Sequence, residues 1–83
     1  MKLLYFAWLK AKTGVAEEEV EPPAEIATVG DLLDWLKDRG PGYAEALADP
    51  QKIRVAVNQD YARPDDPVAA GDEVALFPPV TGG

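Results

Sequence analysis

The sequence predicts an α+β fold in which one main helix packs across one face of a mixed β-sheet. Two observations favour this class. A clearly amphipathic helix lies near the middle of the chain, and short apolar or alternating segments typical of strands flank it on both sides. Because 83 residues suit one small domain, we assign residues 1–83 to a single domain whose residues 78–83 form an extended, mobile C-terminal tail.

The first predicted strand covers residues 2–10, which are apolar at nearly every position and too few for a confident helix assignment. Alternation along a strand gives one row of Leu4, Phe6, Trp8 and Lys10 and a second row of Leu3, Tyr5, Ala7 and Leu9. Both rows are largely apolar. One face can therefore pack under the helix while the other stays available for a partner.

An acidic segment follows the predicted turn at Thr13 and Gly14. Residues 17–21 alternate weakly between acidic and apolar positions before Pro22 and Pro23 end the pattern. The segment is interpreted as a hairpin partner of the first strand, charged on one side. A solvated acidic loop is the alternative.

The central helix is predicted to begin at Thr28, whose side chain can cap free backbone N–H groups, with Asp31 three residues further on. One face of this helix is apolar and carries Val29, Leu32, Leu33 and Leu36. Gly40 and Pro41 are expected to end it. A second, weaker helical turn is predicted over residues 43–47.

The remaining strands are short. Residues 53–58 alternate and favour a strand, residues 58–60 favour a turn, and a very short strand is expected at Tyr61. The last strand covers residues 73–77 and must end at Pro78 and Pro79, which lack the N–H donors of a strand ladder.

Charge and composition exclude several classes of partner. The net charge of −7, with Lys and Arg scattered singly along the chain, disfavours nucleic acid and anionic membrane surfaces and favours a basic protein partner. The chain has no run of about 18 apolar residues and no cleavable leader pattern, so we expect the cytoplasm as its compartment.

The absence of Cys and His argues against independent catalysis. It removes thiolate chemistry, the commonest metal ligand and the one side chain that ordinarily titrates near neutral pH. The acidic pairs at residues 65–66 and 72–73 lack the spacing of a calcium loop and are interpreted as solvated turn residues, so no metal site is predicted. We expect the chain not to be an enzyme on its own.

The C-terminus is the most unusual feature of the sequence. Pro78 and Pro79 favour a stiff, extended segment, and Gly82 and Gly83 give a tip without side chains that can enter a narrow channel. The terminal carboxylate is then the reactive group, which adenylation by a partner would activate for replacement of one oxygen by sulfur. A frayed tail is the alternative interpretation of the two glycines alone.

The ending Phe77-Pro78-Pro79-Val80-Thr81-Gly82-Gly83 resembles that of molybdopterin synthase small subunits, the sulfur carriers of molybdenum-cofactor synthesis. Three further stretches fit the same family in the same order: Tyr5-Phe6-Ala7, residues 28–33 and Val55-Ala56-Val57-Asn58. The chain departs from the family pattern at Trp8, where a polar or basic residue is commoner, and at Ala11, where an acid is frequent.

The resemblance implies a ubiquitin-like β-grasp fold and a covalent carrier. A partner adenylyltransferase of the ubiquitin-activating type would use ATP to activate Gly83, and a persulfide sulfurtransferase would supply sulfur. The resulting thiocarboxylate would enter the synthase large subunit, in a heterotetramer of two small and two large subunits. There its sulfur would form the dithiolene of molybdopterin from cyclic pyranopterin monophosphate. The chain itself would bind no cofactor.

The resemblance also implies site residues. Gly83 would be the acyl carrier and Gly82 would enter the partner's active site, whereas the partner-binding residues would be Phe6, Lys10, Tyr61, Phe77, Pro78, Pro79, Val80 and Thr81. Alternatives remain for three of them: Phe6 and Phe77 as core residues, and Lys10 as an ordinary surface lysine.

Two other functions remain open at this point. A related carrier of the same fold would serve thiamine synthesis, tRNA thiolation or attachment to target lysines. A non-catalytic β-grasp binding module would carry the glycines incidentally.

Overall fold

The computed structural model describes residues 1–79 and contains a five-stranded sheet with three α-helices. The strands are β1 (Lys2–Tyr5), β2 (Glu17–Glu19), β3 (Arg54–Val57), β4 (Asp60–Ala62) and β5 (Glu73–Phe77). The helices are α1 (Trp8–Thr13), α2 (Val29–Lys37) and α3 (Pro41–Ala46), and a 3₁₀ turn at Pro50–Lys52 precedes β3.

The sheet is mixed, as predicted. Its strand order is β2-β1-β5-β3-β4, with β1 and β5 parallel at its centre and the other neighbouring pairs antiparallel. The acidic segment pairs with β1 through β2, so the hairpin prediction is confirmed and the loop alternative is wrong for Glu17–Glu19. β2 and β4 form the two edges.

The core lies between the inner face of the sheet and the helices. Alternate residues of β1 and β5 are buried, because side chains along a strand point to opposite faces. The buried side chains that form this core include Leu3, Tyr5, Val74 and Leu76 from the sheet and Leu9, Val29, Leu32 and Leu36 from the helices. This packing fixes which face of the sheet remains open.

The beginning of α2 confirms the predicted capping residues. The Thr28 hydroxyl oxygen accepts a hydrogen bond from the Asp31 backbone N–H at 3.1 Å, and the Asp31 carboxylate accepts one from the Thr28 N–H at 3.3 Å. Together these bonds satisfy backbone donors that the helix leaves free. The helix ends at Lys37, three residues before Gly40.

The prediction of one strand over residues 2–10 is wrong beyond Tyr5. Ala7 adopts a positive φ of 56°, a conformation that a strand cannot continue, and residues 8–13 then form α1. Leu9 is buried from this helix, whereas Trp8 and Lys10 are exposed. A short segment that is apolar throughout fits a buried strand or a packed helix equally well, so its periodicity did not distinguish them.

α3 confirms the weaker helical prediction but begins earlier, at Pro41, whose fixed φ suits the first helical position. It packs against α1, and Gly42 approaches the backbone so closely that a Cβ there would overlap the Lys12 carbonyl oxygen. This contact holds α1 beside the sheet.

Substitution Gly42→Ala is therefore expected to destabilise the protein by about 1–3 kcal/mol through overpacking. Helix propensity alone predicts the opposite sign, a gain of roughly 0.5–1 kcal/mol. Urea unfolding measures the difference, with Ala44→Gly in the same helix as the propensity control. A stabilised Gly42→Ala variant would contradict the close packing of α1 and α3.

Candidate functional site

None of the strand residues whose side chains point to the outer face of the sheet is buried. The registers align Leu4, Ala75, Ala56 and Tyr61 in one row across β1, β5, β3 and β4. The first three are half-buried and Tyr61 is 76% exposed. The second apolar face predicted from the first strand therefore exists, although four strands build it and β1 contributes only residues up to Tyr5.

Three aromatic side chains mark one end of this open face, and we call Phe6, Tyr61 and Phe77 the aromatic surface. The Tyr61 and Phe77 ring centroids are 5.9 Å apart, and Phe6 is 49% exposed where β1 ends. Phe77 is half-buried and lies outside the buried core. The alternative that Phe6 is a core residue is wrong. Exposed aromatic clusters of this kind are typical of protein interfaces.

The tail leaves the sheet from the same end. β5 ends at Phe77, as predicted, and Pro78 and Pro79 are half-buried beyond it. The Phe6 N–H donates a hydrogen bond to the Leu76 carbonyl oxygen at 3.1 Å, which brings the end of β1 beside the end of β5. The aromatic surface therefore lies at the base of the tail. Residues outside the described range are Val80, Thr81, Gly82 and Gly83. The extended, mobile form predicted for the tail falls largely on these four residues and stays a prediction.

Lys10 lies on α1 and not on β1 as the first-strand prediction had it. It lines a groove of about 380 Å³ together with Phe6, Leu4 and Glu17, so it adjoins the aromatic surface from the β1 side. On the opposite side of α1, Trp8 lines a second groove with Lys12 and Lys52. The structure thus brings Phe6, Lys10, Tyr61 and Phe77 to one end of the sheet.

A polar cluster beneath the helices was not predicted from the sequence. The Glu18 carboxylate accepts hydrogen bonds from the Tyr5 and Tyr43 hydroxyls, both at 2.8 Å, and from Arg39 at 3.0 Å. Burial, and then the hydrogen bond to Glu18, raises the pKa of both tyrosine hydroxyls, which stay protonated donors. The cluster ties β2 to α3 and is structural. No local motif marks it, because its members are far apart in sequence.

A groove of about 610 Å³ lies at the opposite end of the molecule. Its lining is mostly apolar and includes Met1, Val20, Ile26 and Val68, with Glu21 as the one acidic side chain. Residues 1–79 include no group of three or more acidic side chains placed to hold a metal ion. None of the helices in that range has the length and apolar character needed to cross a membrane.

Comparison with known proteins gives the family. The model of the ThiS family matches residues 3–83, which include the aromatic surface and the whole tail. The chain belongs to the ThiS family. The matched range also includes residues 80–83, which the structure does not describe.

Two individual relatives are similar to this chain, one of them over its full length. The chain is 41% identical to the molybdopterin synthase sulfur carrier subunit of Escherichia coli K12, over 100% of this chain and 99% of that protein. It is 44% identical to small archaeal modifier protein 1 of Haloferax volcanii over 69% of this chain and 71% of that one.

A similar solved structure confirms the fold. A putative molybdopterin converting factor subunit 1 from Pyrococcus furiosus superposes with a TM-score of 0.78, at 36% identity and 95% coverage of both chains. The ubiquitin-like β-grasp predicted by resemblance is confirmed.

Proposed function

We propose that the chain is the sulfur-carrier subunit of a molybdopterin synthase. The observation that carries this proposal is the full-length likeness to a sulfur carrier subunit, in a family whose model matches through Gly83. The geometry supports it, because the tail leaves the sheet beside an exposed aromatic surface. A partner that docks there receives the tail at the same time.

The proposed chemistry takes place at the terminal carboxylate of Gly83. An adenylyltransferase transfers AMP from ATP to this carboxylate and releases pyrophosphate. The terminal sulfur of a persulfide on the sulfurtransferase then attacks the acyl carbonyl and displaces AMP, which leaves an acyl disulfide. A thiol reductant cleaves its S–S bond and releases the thiocarboxylate. Two such chains supply the two sulfur atoms of the molybdopterin dithiolene to cyclic pyranopterin monophosphate, and water restores the terminal carboxylate of each chain. ATP belongs to the activating partner, and this chain binds no cofactor.

The partners dock on the end of the sheet that carries the tail. Gly82 enters their active sites because its backbone carries no side chain and can pass through a channel too narrow for a residue with a Cβ. The docking residues are Phe6, Lys10, Tyr61, Phe77, Pro78, Pro79, Val80 and Thr81. In the synthase this chain is the non-catalytic subunit, and the large subunit supplies the catalytic groups in a heterotetramer. The cytoplasm stays the predicted compartment.

Genetic complementation tests this function. The chain is expressed in Escherichia coli that lacks its own small subunit, and molybdenum-enzyme activity is measured. We expect restored activity with the full chain and none with a chain that ends at Gly82. Rescue of a thiamine auxotroph instead, with no molybdenum-enzyme activity, would contradict the proposal in favour of a related carrier.

A protein-modifier function is the second candidate, because the likeness to small archaeal modifier protein 1 reaches 44% identity. Both functions use an adenylated Gly83, and they differ in the acceptor, which is a lysine amine in the modifier. Mass spectrometry of cell lysates for isopeptide links between Gly83 and lysines separates them. Such adducts, which disappear without the adenylyltransferase, would establish the modifier function.

A further inference from the structure

The cations of the chain are distributed unevenly among the ion pairs. Within residues 1–79, Lys2 pairs with Glu17, Lys12 with Glu45, Lys37 with Asp34 and Arg39 with Glu18. These are four of the eight Lys and Arg residues. In the same range, the other four form no ion pair: they are Lys10, Lys52, Arg54 and Arg63.

The four cations without an ion pair all lie at the end of the sheet from which the tail departs. Arg54 is directly opposite Phe77 across β3 and β5. Val55 pairs with Ala62 across β3 and β4, so Arg63 follows opposite Arg54 and lines the same groove of about 410 Å³. Lys52 precedes Arg54 by two residues, and Lys10 adjoins Phe6.

Several acids near these cations make other contacts, and within residues 1–79 no acid forms an ion pair with the four cations. Glu17 and Glu45 are in the ion pairs named above. The Asp49 carboxylate accepts the Gln51 N–H at 3.0 Å, and the Asp66 carboxylate accepts the Arg63 N–H at 2.7 Å. An exposed cation without a local partner pairs favourably with a carboxylate brought close by docking.

On this basis, which rests on the proposed function, we infer that Lys10, Lys52, Arg54 and Arg63 form a cationic border around the aromatic surface. This border recognises carboxylates at the rim of the channel through which a partner protein accepts the tail. Arg54 is its central member, because it lines a groove of about 270 Å³ with Tyr61 and Phe77 on the open face. The border places cations without an ion pair beside the tail, where they favour a tail-first encounter with the carboxylates of the partner.

A protein carboxylate fits this border better than a nucleotide phosphate. The predicted tail spans residues 78–83, and six extended residues span about 20 Å, so a nucleotide that reacts with Gly83 in a channel lies about that far from the tail base. A long polyanion is repelled by the net charge of −7. Interleaved aromatic and arginine side chains are typical of protein interfaces.

Stopped-flow association of the full chain with its purified, nucleotide-free adenylyltransferase tests this inference. We expect Arg54→Glu to lower the association rate constant about 10-fold at low ionic strength, with a smaller difference at high salt. Arg54→Gln should show an intermediate loss. Unfolding midpoints should stay unchanged, because Arg54 is exposed.

Lys37→Glu is the matched control, since it changes the net charge equally on the helix layer, away from the open face. The inference is overturned if Lys37→Glu slows association as much as Arg54→Glu does, or if Arg54→Glu accelerates association. It is also overturned if Arg54→Glu slows association only when ATP is added. If the wild-type chain binds and Arg54→Glu associates at the same rate, this inference alone is refuted. A wild-type chain that the adenylyltransferase does not bind would refute the proposed function and this inference together.

Discussion

Addition of one residue after Gly83 is expected to abolish sulfur transfer while the fold stays intact. An extra residue in an extended tail displaces the reactive carbonyl by roughly 3.3–3.6 Å relative to the docked domain. A misplacement of about 1 Å already costs on the order of a hundredfold in rate. The expected loss is therefore at least a hundredfold in single-turnover molybdopterin formation with a thiocarboxylated chain.

Two controls separate this effect from damage to the domain. The unfolding midpoint of the extended chain should equal that of the wild type, because β5 ends at Phe77, well before the added residue. Lys37→Ala, on the surface of α2, should retain wild-type transfer. Undiminished transfer by the extended chain would mean that the position of the terminal carboxyl group does not matter.

Tyr61→Asp is expected to weaken docking to the large subunit by at least about 30-fold. Central aromatic residues at interfaces commonly contribute 2 kcal/mol or more, and 1.4 kcal/mol is a factor of ten in the dissociation constant. Tyr61 is 76% exposed, so its replacement should leave the free energy of unfolding almost unchanged. Isothermal titration calorimetry with the purified large subunit measures the effect.

Gln59→Asp supplies a matched control for Tyr61→Asp, because it adds the same charge in the exposed β3–β4 turn, on the side of Tyr61 away from the tail. Its positive φ of 72° also suits Asp at least as well as Gln. Equal losses in the two variants would mean that charge, and not the aromatic surface, governs docking.

Much of the fold could be predicted from the sequence where local signals were strong. The start of α2 was predictable because Thr28 and Asp31, three residues apart, form hydrogen bonds with each other. The end of β5 was predictable because the two prolines after it have no N–H group to donate to a neighbouring strand. Residues 8–13 were not predictable, because their helix depends on the turn at Ala7 and on packing against α3.

The site shows the same division between local and long-range information. Tyr61 and Phe77 were identified by resemblance, and the structure places their rings together at the tail base. The cationic border could not be seen in the sequence, where Lys10 and Arg63 are separated by more than half of the chain. Only the pairing of β1, β5, β3 and β4 brings such residues to one end.

The same arrangement determines which charged side chains lie at the tail base. The net charge of −7 favours a basic partner over the molecule as a whole, whereas the end that docks carries the cations without an ion pair in residues 1–79. Net charge therefore describes the long-range field, and the fold determines which charges a docked partner meets.

Intact-mass analysis detects the proposed thiocarboxylate itself. The chain is incubated with its adenylyltransferase, ATP and a sulfur donor, with the Escherichia coli relative as a positive control. We expect an ATP-dependent mass gain equal to the replacement of one oxygen by sulfur, which fragmentation assigns to Gly83. An unchanged mass under conditions that convert the relative would contradict the proposed chemistry.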